Sequence, residues 1–203
     1  LSHQCHNAGL RVAPLKPVVT GFAIADATTD SALLARSVGQ EITRRNIQQI
    51  SPWRFSAPLS PHMAAVCERK TLSLPEIIAF CQQPRAADIV LCEGVGGVMV
   101  PLNQHHTMLD WMCALDWPVI MVVGSYLGAI SHGLTACRVI CDAGVTLQAL
   151  VISESPDSTV DFLDTCRSFK QFVPQARHVV GLPRLPDTPD NFSLCNNLRW
   201  ILA

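Results

Sequence analysis

The feature that most restricts how this chain can fold is a regular alternation of short apolar runs with amphipathic stretches of helix length. Residues 89–92, 119–123, 146–152 and 178–182 read as strands, and 108–115, 131–143 and 160–172 between them read as helices. Strands separated by helices of this length run mainly parallel, because a parallel pair needs a crossover that long. The expected fold class is therefore α/β, three layers, with a mainly parallel sheet and helices on both faces. With 203 residues, one domain over 1–203 has room for a substantial core.

Upstream the pattern is less regular. Residues 1–8 read as the end of a helix closed by Gly9, 12–19 as a strand interrupted at Pro17, and 31–38 as a helix. Residues 40–61 show no clear period and are expected to form a long, partly helical excursion over the active face. A short helix follows at 61–68. Ser73-Leu74-Pro75-Glu76 places a cap, a proline and an acid at the start of a helix over 74–83. Leu134, Cys137 and Cys141 define the expected inner face of helix 131–143.

Composition narrows the function. The net charge is −1 and no Lys/Arg run exceeds two residues, which argues against a nucleic-acid surface. Only 15% of residues are charged while 49% are apolar, a balance that fits an oligomer. No apolar run exceeds five residues, as at 119–123, far too short to span a membrane. Nine scattered cysteines without a Cys-x-x-Cys pair fit a reducing, cytoplasmic compartment and buried hydrophobic roles. Cys137 and Cys141 share a helix face, but two thiols do not make a zinc site.

Four segments carry chemistry. The apolar run 87–92 ends in Glu93-Gly94-Val95-Gly96-Gly97, which sets one carboxylate and a close-approach backbone at a sheet's carboxyl edge. That is where α/β sheets bind ligands, although an ordinary strand and turn would share the composition. Lys16, inside Lys16-Pro17-Val18-Val19-Thr20-Gly21, is costly in an apolar strand unless it meets an anion or reaches the sheet's rim. Asp30 opens a helix and can serve simply as its cap. Residues 122–132 lead from a strand through glycines into a helix, either an anion site or a plain connection. His62 and His132 read as local hydrogen-bonders, the loop pair His105-His106 as solvated rather than metal-bound, and the four tryptophans as packing residues.

In combination, "KPVVTG", "TTDSAL", "SPHMAA", "EGVGGVMVPL", "PVIMVVGSYLGAISHGLTA" and the weaker "VVGLPRLPDTP" resemble the dethiobiotin synthetase family over nearly the whole chain. The resemblance implies a P-loop NTPase-like fold and a ligase of biotin biosynthesis. Its reaction carboxylates 7,8-diaminopelargonate with CO2, phosphorylates the carbamate from ATP, and closes a cyclic urea. It implies Lys16 and Thr20 as catalytic residues at the carbamate, with Asp30 and Glu93 at a Mg2+ ion that bridges the ATP phosphates. Gly94, Val95, Gly96 and Gly97 would lie against substrate. Leu127, Gly128, Ala129, Ile130 and Ser131 would hold the substrate's carboxylate tail across a homodimer. Asp30, Glu93, Ser153, Pro183 and Asp187 would serve the nucleotide.

The chain also departs from that family. It contains no Gly-rich loop ending in Gly-Lys-Thr, the element that cradles the phosphates. Residues 1–9 are similar to the latter half of the helix that follows such a loop. With no initiating Met either, the sequence is expected to be a fragment with little activity of its own. The alternative is a degenerate, non-catalytic homodimeric relative that binds a small carboxylate or a partner. Ser153 stands where the family usually has an asparagine that reads the adenine ring, so base readout should be weaker or supplied by backbone, and Ser131 replaces another usual asparagine at a cost in affinity.

Overall fold

A computed structural model describes residues 1–23, 26–186 and 197–202. The chain divides into two compact units, Leu1–Leu115 and Asp116–Ala203.

The first unit contains α1 (Ser2–Asn7), β1 (Val12–Leu15), β2 (Val18–Val19), α2 (Asp30–Ser37), α3 (Arg44–Ile50), β3 (Trp53–Arg54), α4 (Pro61–Cys67), α5 (Leu74–Gln82), β4 (Ile89–Cys92) and α6 (Met108–Leu115). The single strand expected over 12–19 is two. Pro17 has no N–H to give a ladder, and the chain changes partners there. The Lys16 N–H donates to the Ile50 carbonyl (3.0 Å), and the Pro17 carbonyl accepts from the Trp53 N–H (3.1 Å). Upstream of that point β1 pairs in parallel with β4, and downstream β2 pairs in parallel with β3.

The aperiodic stretch 40–61 thus holds a short strand as well as a helix. Two residues of strand leave too little alternation for a period to register. Although its run is apolar, all four residues of β4 are half-buried. Among the described residues β1 is its sole strand partner.

Leu15, Val18, Ile47, Ile50, Phe55, Ile77, Leu102 and Trp111 are each at most 3% exposed and form the apolar interior of this unit. α5 begins where the Ser-Leu-Pro-Glu signature places it. Its Ser73 side chain nevertheless makes no capping hydrogen bond, and Pro at the first turn supplies the start signal.

The second unit contains β5 (Val119–Gly124), α7 (Ala129–Asp142), β6 (Leu147–Ser153), α8 (Phe162–Phe172) and β7 (His178–Leu182), with a short 3-10 turn at Arg199–Leu202. The three strands form a parallel sheet in the order β5-β6-β7. β6, flanked on both sides, is buried over its first six residues, whereas β5 and β7 are mostly half-buried. On α7 the buried stripe is Ala129, Gly133, Cys137 and Ile140. Cys137 was foreseen, but Leu134 and Cys141 are half-buried. The stripe follows Gly133, where an added Cβ would lie 2.6 Å from the Phe169 ring, so the missing side chain lets α7 and α8 approach closely. Every strand pair in both units is parallel, and the fold is α/β with helices between the strands.

Candidate functional site

The parallel register of β1 on β4 builds the site. Val12 faces Ile89 and Leu15 faces Cys92, so the next residues along, Lys16 and Glu93, leave the ladder side by side at its carboxyl end. The Glu93 N–H still donates to the Leu15 carbonyl (2.7 Å), which fixes its backbone before the glycine turn begins.

Lys16 is buried, with its side chain 8% exposed. Its Nζ donates to Glu93 Oε1 at 2.6 Å and lies 3.1 Å from Asp30 Oδ2. Both carboxylates are about half exposed (54% and 50%). Of the two readings left open for this lysine, the structure thus shows an ammonium that meets anions, both supplied by the chain itself. Burial alone would pull its pKa down. The charge and hydrogen bond of Glu93, followed by those of Asp30, outweigh that effect and hold it above the ordinary lysine value.

Asp30 reaches this position because it is not the cap of α2. Thr29 caps the helix through its hydroxyl, which accepts from the Ala32 N–H, and Asp30 is the first helical residue with its carboxylate free to turn toward Lys16. Thr20, half-buried, follows β2 directly.

The turn after Glu93 has its own constraints. Val95 is 7% exposed, so its side chain packs inward, while Gly96 and Gly97 are exposed. Gly96 has φ +68°, in the left-handed region. A Cβ on Gly94 would meet the Met108 methyl at 2.5 Å.

The donor set suits a hard divalent cation. Two carboxylates converge on one positive charge, and Mg2+ is commonly held by one or two carboxylates, with phosphates and waters completing its octahedron. Among the described residues there is no group of three or more His, Cys, Asp or Glu that could hold a metal.

In the second unit the expected residues lie at the carboxyl ends of the sheet. Leu127 and Gly128 lead from β5 into α7, with Gly128 at φ +94° in the cap position, and Ala129, Ile130 and Ser131 are the first residues of that helix. Leu127 (79%) and Tyr126 (47%) are exposed, whereas Ala129 is buried. Ser153 ends β6, paired with Gly124 on one side and Leu182 on the other, and Pro183 follows β7. Asp187 lies outside the described residues.

Sequence reasoning missed a serine clamp here. The Ser125 N–H donates to Ser155 Oγ (3.0 Å), and the Ser155 N–H donates to Ser125 Oγ (2.9 Å). Ser158 Oγ adds a bond to the Ser125 carbonyl (2.7 Å). Serines in loops are too common to signal a pairing 30 residues apart. His62 and His132 make the local bonds expected of them, to Ser60 and Tyr126, whereas His106, expected to be solvated, meets Asn103.

A family model described as an AAA domain matches residues 4–191. The ATP-dependent dethiobiotin synthetase of Caulobacter vibrioides is 41% identical over 189 residues, covering 91% of this chain and 84% of the relative. That of Methylobacterium nodulans is 41% identical over 164 residues, 77% of this chain and 73% of its own. That of Acidiphilium cryptum is 38% identical over 183 residues, 87% and 79% respectively.

The chain belongs to the dethiobiotin synthetase family. Membership makes it one of a family of ATP-dependent ligases with an α/β, P-loop NTPase-like fold. Dethiobiotin synthetases are thereby the frame for the buried lysine and its two carboxylates. Among the described residues no helix is long and apolar enough to cross a membrane.

Proposed function

We propose that this chain serves ATP-dependent conversion of 7,8-diaminopelargonate and CO2, drawn from bicarbonate, to dethiobiotin, with Lys16, Thr20, Asp30 and Glu93 at the reacting end. The observation that supports this reading is the single buried ammonium shared by two half-exposed carboxylates at the carboxyl end of β1 and β4. A buried cation that can exchange carboxylate partners for substrate suits a reaction that builds negative charge twice, first on a carbamate and then on a transferring phosphoryl group.

One substrate amine adds to CO2 to give a carbamate, and Lys16 balances its charge while the Thr20 hydroxyl donates to it. A carbamate oxygen takes the γ-phosphoryl group of ATP and ADP leaves. The second amine then attacks the carbamoyl carbon and expels phosphate. Asp30 and Glu93 would hold Mg2+, which supplies charge neutralisation at the phosphates. The backbone of Gly94–Gly97 lies against substrate, and its glycines allow close approach. Ser153, Pro183 and Asp187 serve the nucleotide. Residues 127–131 meet the substrate's carboxylate across a homodimer, a reading that the exposure of Tyr126 and Leu127 supports.

The 203 residues contain no Gly-Lys-Thr loop, so binding is the discriminating readout. Calorimetry of the chain with Mg2+·ATP and with 7,8-diaminopelargonate should show both binding. Asp30→Asn and Glu93→Gln should each weaken the Mg2+-dependent part by roughly 10- to 100-fold. Unchanged Mg2+ dependence in both variants, or no diamine binding by the parent chain, overturns the reading.

A further inference from the structure

Immediately before Glu93, at the end of β4, two cysteine sulfurs lie together. Cys81 on α5 and Cys92 at the end of β4 have their Sγ atoms 3.9 Å apart, within hydrogen-bond reach of each other. We propose that Cys81 and Cys92 are a modification site, a dithiol that a hydroperoxide closes to an intrachain disulfide.

The surroundings of Cys81 are those of a thiolate rather than of an apolar filler. The Trp111 indole N–H is buried and has no oxygen or nitrogen partner. Its donor N–H is one of the influences that favour the Cys81 thiolate. Arg85 is pinned beside the same turn by bonds from its guanidinium to the carbonyls of Phe80 (2.7 Å), Cys81 (3.0 Å) and Gln83 (2.8 Å). The hydrogen bond from Cys92 is the largest influence on Cys81. With the Trp111 N–H and the charge of Arg85 it lowers the Cys81 pKa against the opposing effect of burial.

Other buried cysteines are set the opposite way. Burial drives Cys137 up to about 11, and its sulfur rests on the Met121 thioether (3.6 Å), which cannot form a disulfide. Burial likewise raises Cys166.

The step balances with one named oxidant. The Cys81 thiolate attacks one oxygen of hydrogen peroxide, forming an S–O bond and breaking the O–O bond. The departing oxygen takes up a proton and leaves as water. Cys92 then attacks the sulfenic sulfur, the S–S bond forms, and the S–O bond breaks to release a second water carrying the Cys92 proton. The two sulfurs together lose two electrons and the peroxide gains two.

Cys81 is 2% exposed and Cys92 is half-buried, so the site admits a small oxidant and excludes a bulky one. Closure shortens the sulfur separation from 3.9 Å to about 2.05 Å. It also draws the end of β4, and with it the residue next to Glu93, toward α5.

The test is a disulfide map of the intact, folded chain after hydrogen peroxide, with remaining thiols blocked by iodoacetamide and fragments read unreduced by mass spectrometry. The expected product is a Cys81–Cys92 cross-linked fragment lighter by two hydrogens and reversed by dithiothreitol. Cys92→Ser should abolish it. Cys81 and Cys92 both carrying the alkyl group at peroxide doses that oxidise the exposed Cys67 and Cys113 overturns the proposal, as does preferential pairing of any other two cysteines. The parent chain decides the matter even if a variant fails to fold, and the map is independent of ligase activity.

Discussion

Lys16 and Glu93 stand one residue beyond the last ladder pair of β1 and β4, and the Nζ–Oε1 distance between them is 2.6 Å. The same register sets Arg11 against Asp88 just before the first pair, where the guanidinium grips the carboxylate with Nε (3.1 Å) and a second nitrogen (2.5 Å) while the Arg11 backbone N–H adds a third bond (2.9 Å). One parallel alignment therefore closes both ends of a four-pair ladder with opposite charges. A one-residue slip would separate both pairs at once and reverse the faces of every side chain between them.

The Lys16 pair is asymmetric, since the cation is buried and the anions are not. Lys16→Met removes the buried charge and leaves two carboxylates that water can reach, so stability should stay within about 1 kcal/mol of the parent. Glu93→Gln leaves the buried ammonium with Asp30 alone and should cost about 1–3 kcal/mol. Urea midpoints at neutral pH compare the two. A Lys16→Met chain less stable than Glu93→Gln contradicts the account.

The two ends of the ladder should titrate in opposite directions. Lys16 is held above its ordinary 10.5, so its stabilisation is whole below that value and is lost as pH rises through the higher folded value. The hydrogen bonds from Arg11 hold Asp88 at about 2 against an ordinary 3.8. Its stabilisation is whole above 3.8 and fades as pH falls toward 2. Melting temperature against pH should lose part of its acid limb in Arg11→Ala and part of its alkaline limb in Lys16→Met. If Arg11→Ala leaves the slope between pH 4 and 2 unchanged, the assignment to Asp88 fails.

Much of this was legible in the sequence, and what was not has identifiable causes. β4 and α6 fall at their expected bounds, and α5 nearly so, because long apolar runs and a Pro-Glu start leave few competing conformations. The two-residue strand β3 was invisible, and β2 was read only as the far part of one strand over 12–19, since their pairing is tertiary and begins where the chain changes partners at Pro17. Lys16, Asp30 and Glu93 could be named individually from strand ends and helix starts. That all three share one charge centre depends on the register of β1 on β4 and on Thr29 taking the cap, and neither has a local signature. The Cys81–Cys92 contact was hidden for the same reason.

Gly96 should be the turn residue least tolerant of a side chain. Its φ of +68° is open to glycine and strained for alanine, and an added Cβ would sit 3.2 Å from three carbons of Val100. Gly96→Ala should cost about 1–2 kcal/mol and weaken diamine binding through a displaced turn. Gly97→Ala, where nothing lies within 4 Å and φ is ordinary, is the control that should do neither. Thermal melts and calorimetry on both variants provide the comparison, and equal effects would remove the special status of Gly96.

The Ser125–Ser155 clamp joins the loops that leave β5 and β6 by two reciprocal bonds, 3.0 Å and 2.9 Å long. Ser125 is fully buried, so Ser125→Ala strands the Ser155 N–H without its acceptor, and Ser155→Ala does the same to the Ser125 N–H. Each single change should cost about 1–3 kcal/mol. Each bond also holds its partner's loop in place, so losing either loosens the other. The double variant should then cost less than the two singles combined by at least about 0.5 kcal/mol. Denaturant unfolding of all four chains measures that coupling. Strict additivity would mean two independent hydrogen bonds, and the loops that lead through Leu127 into α7 and that follow Ser153 would not be fixed by a shared clamp.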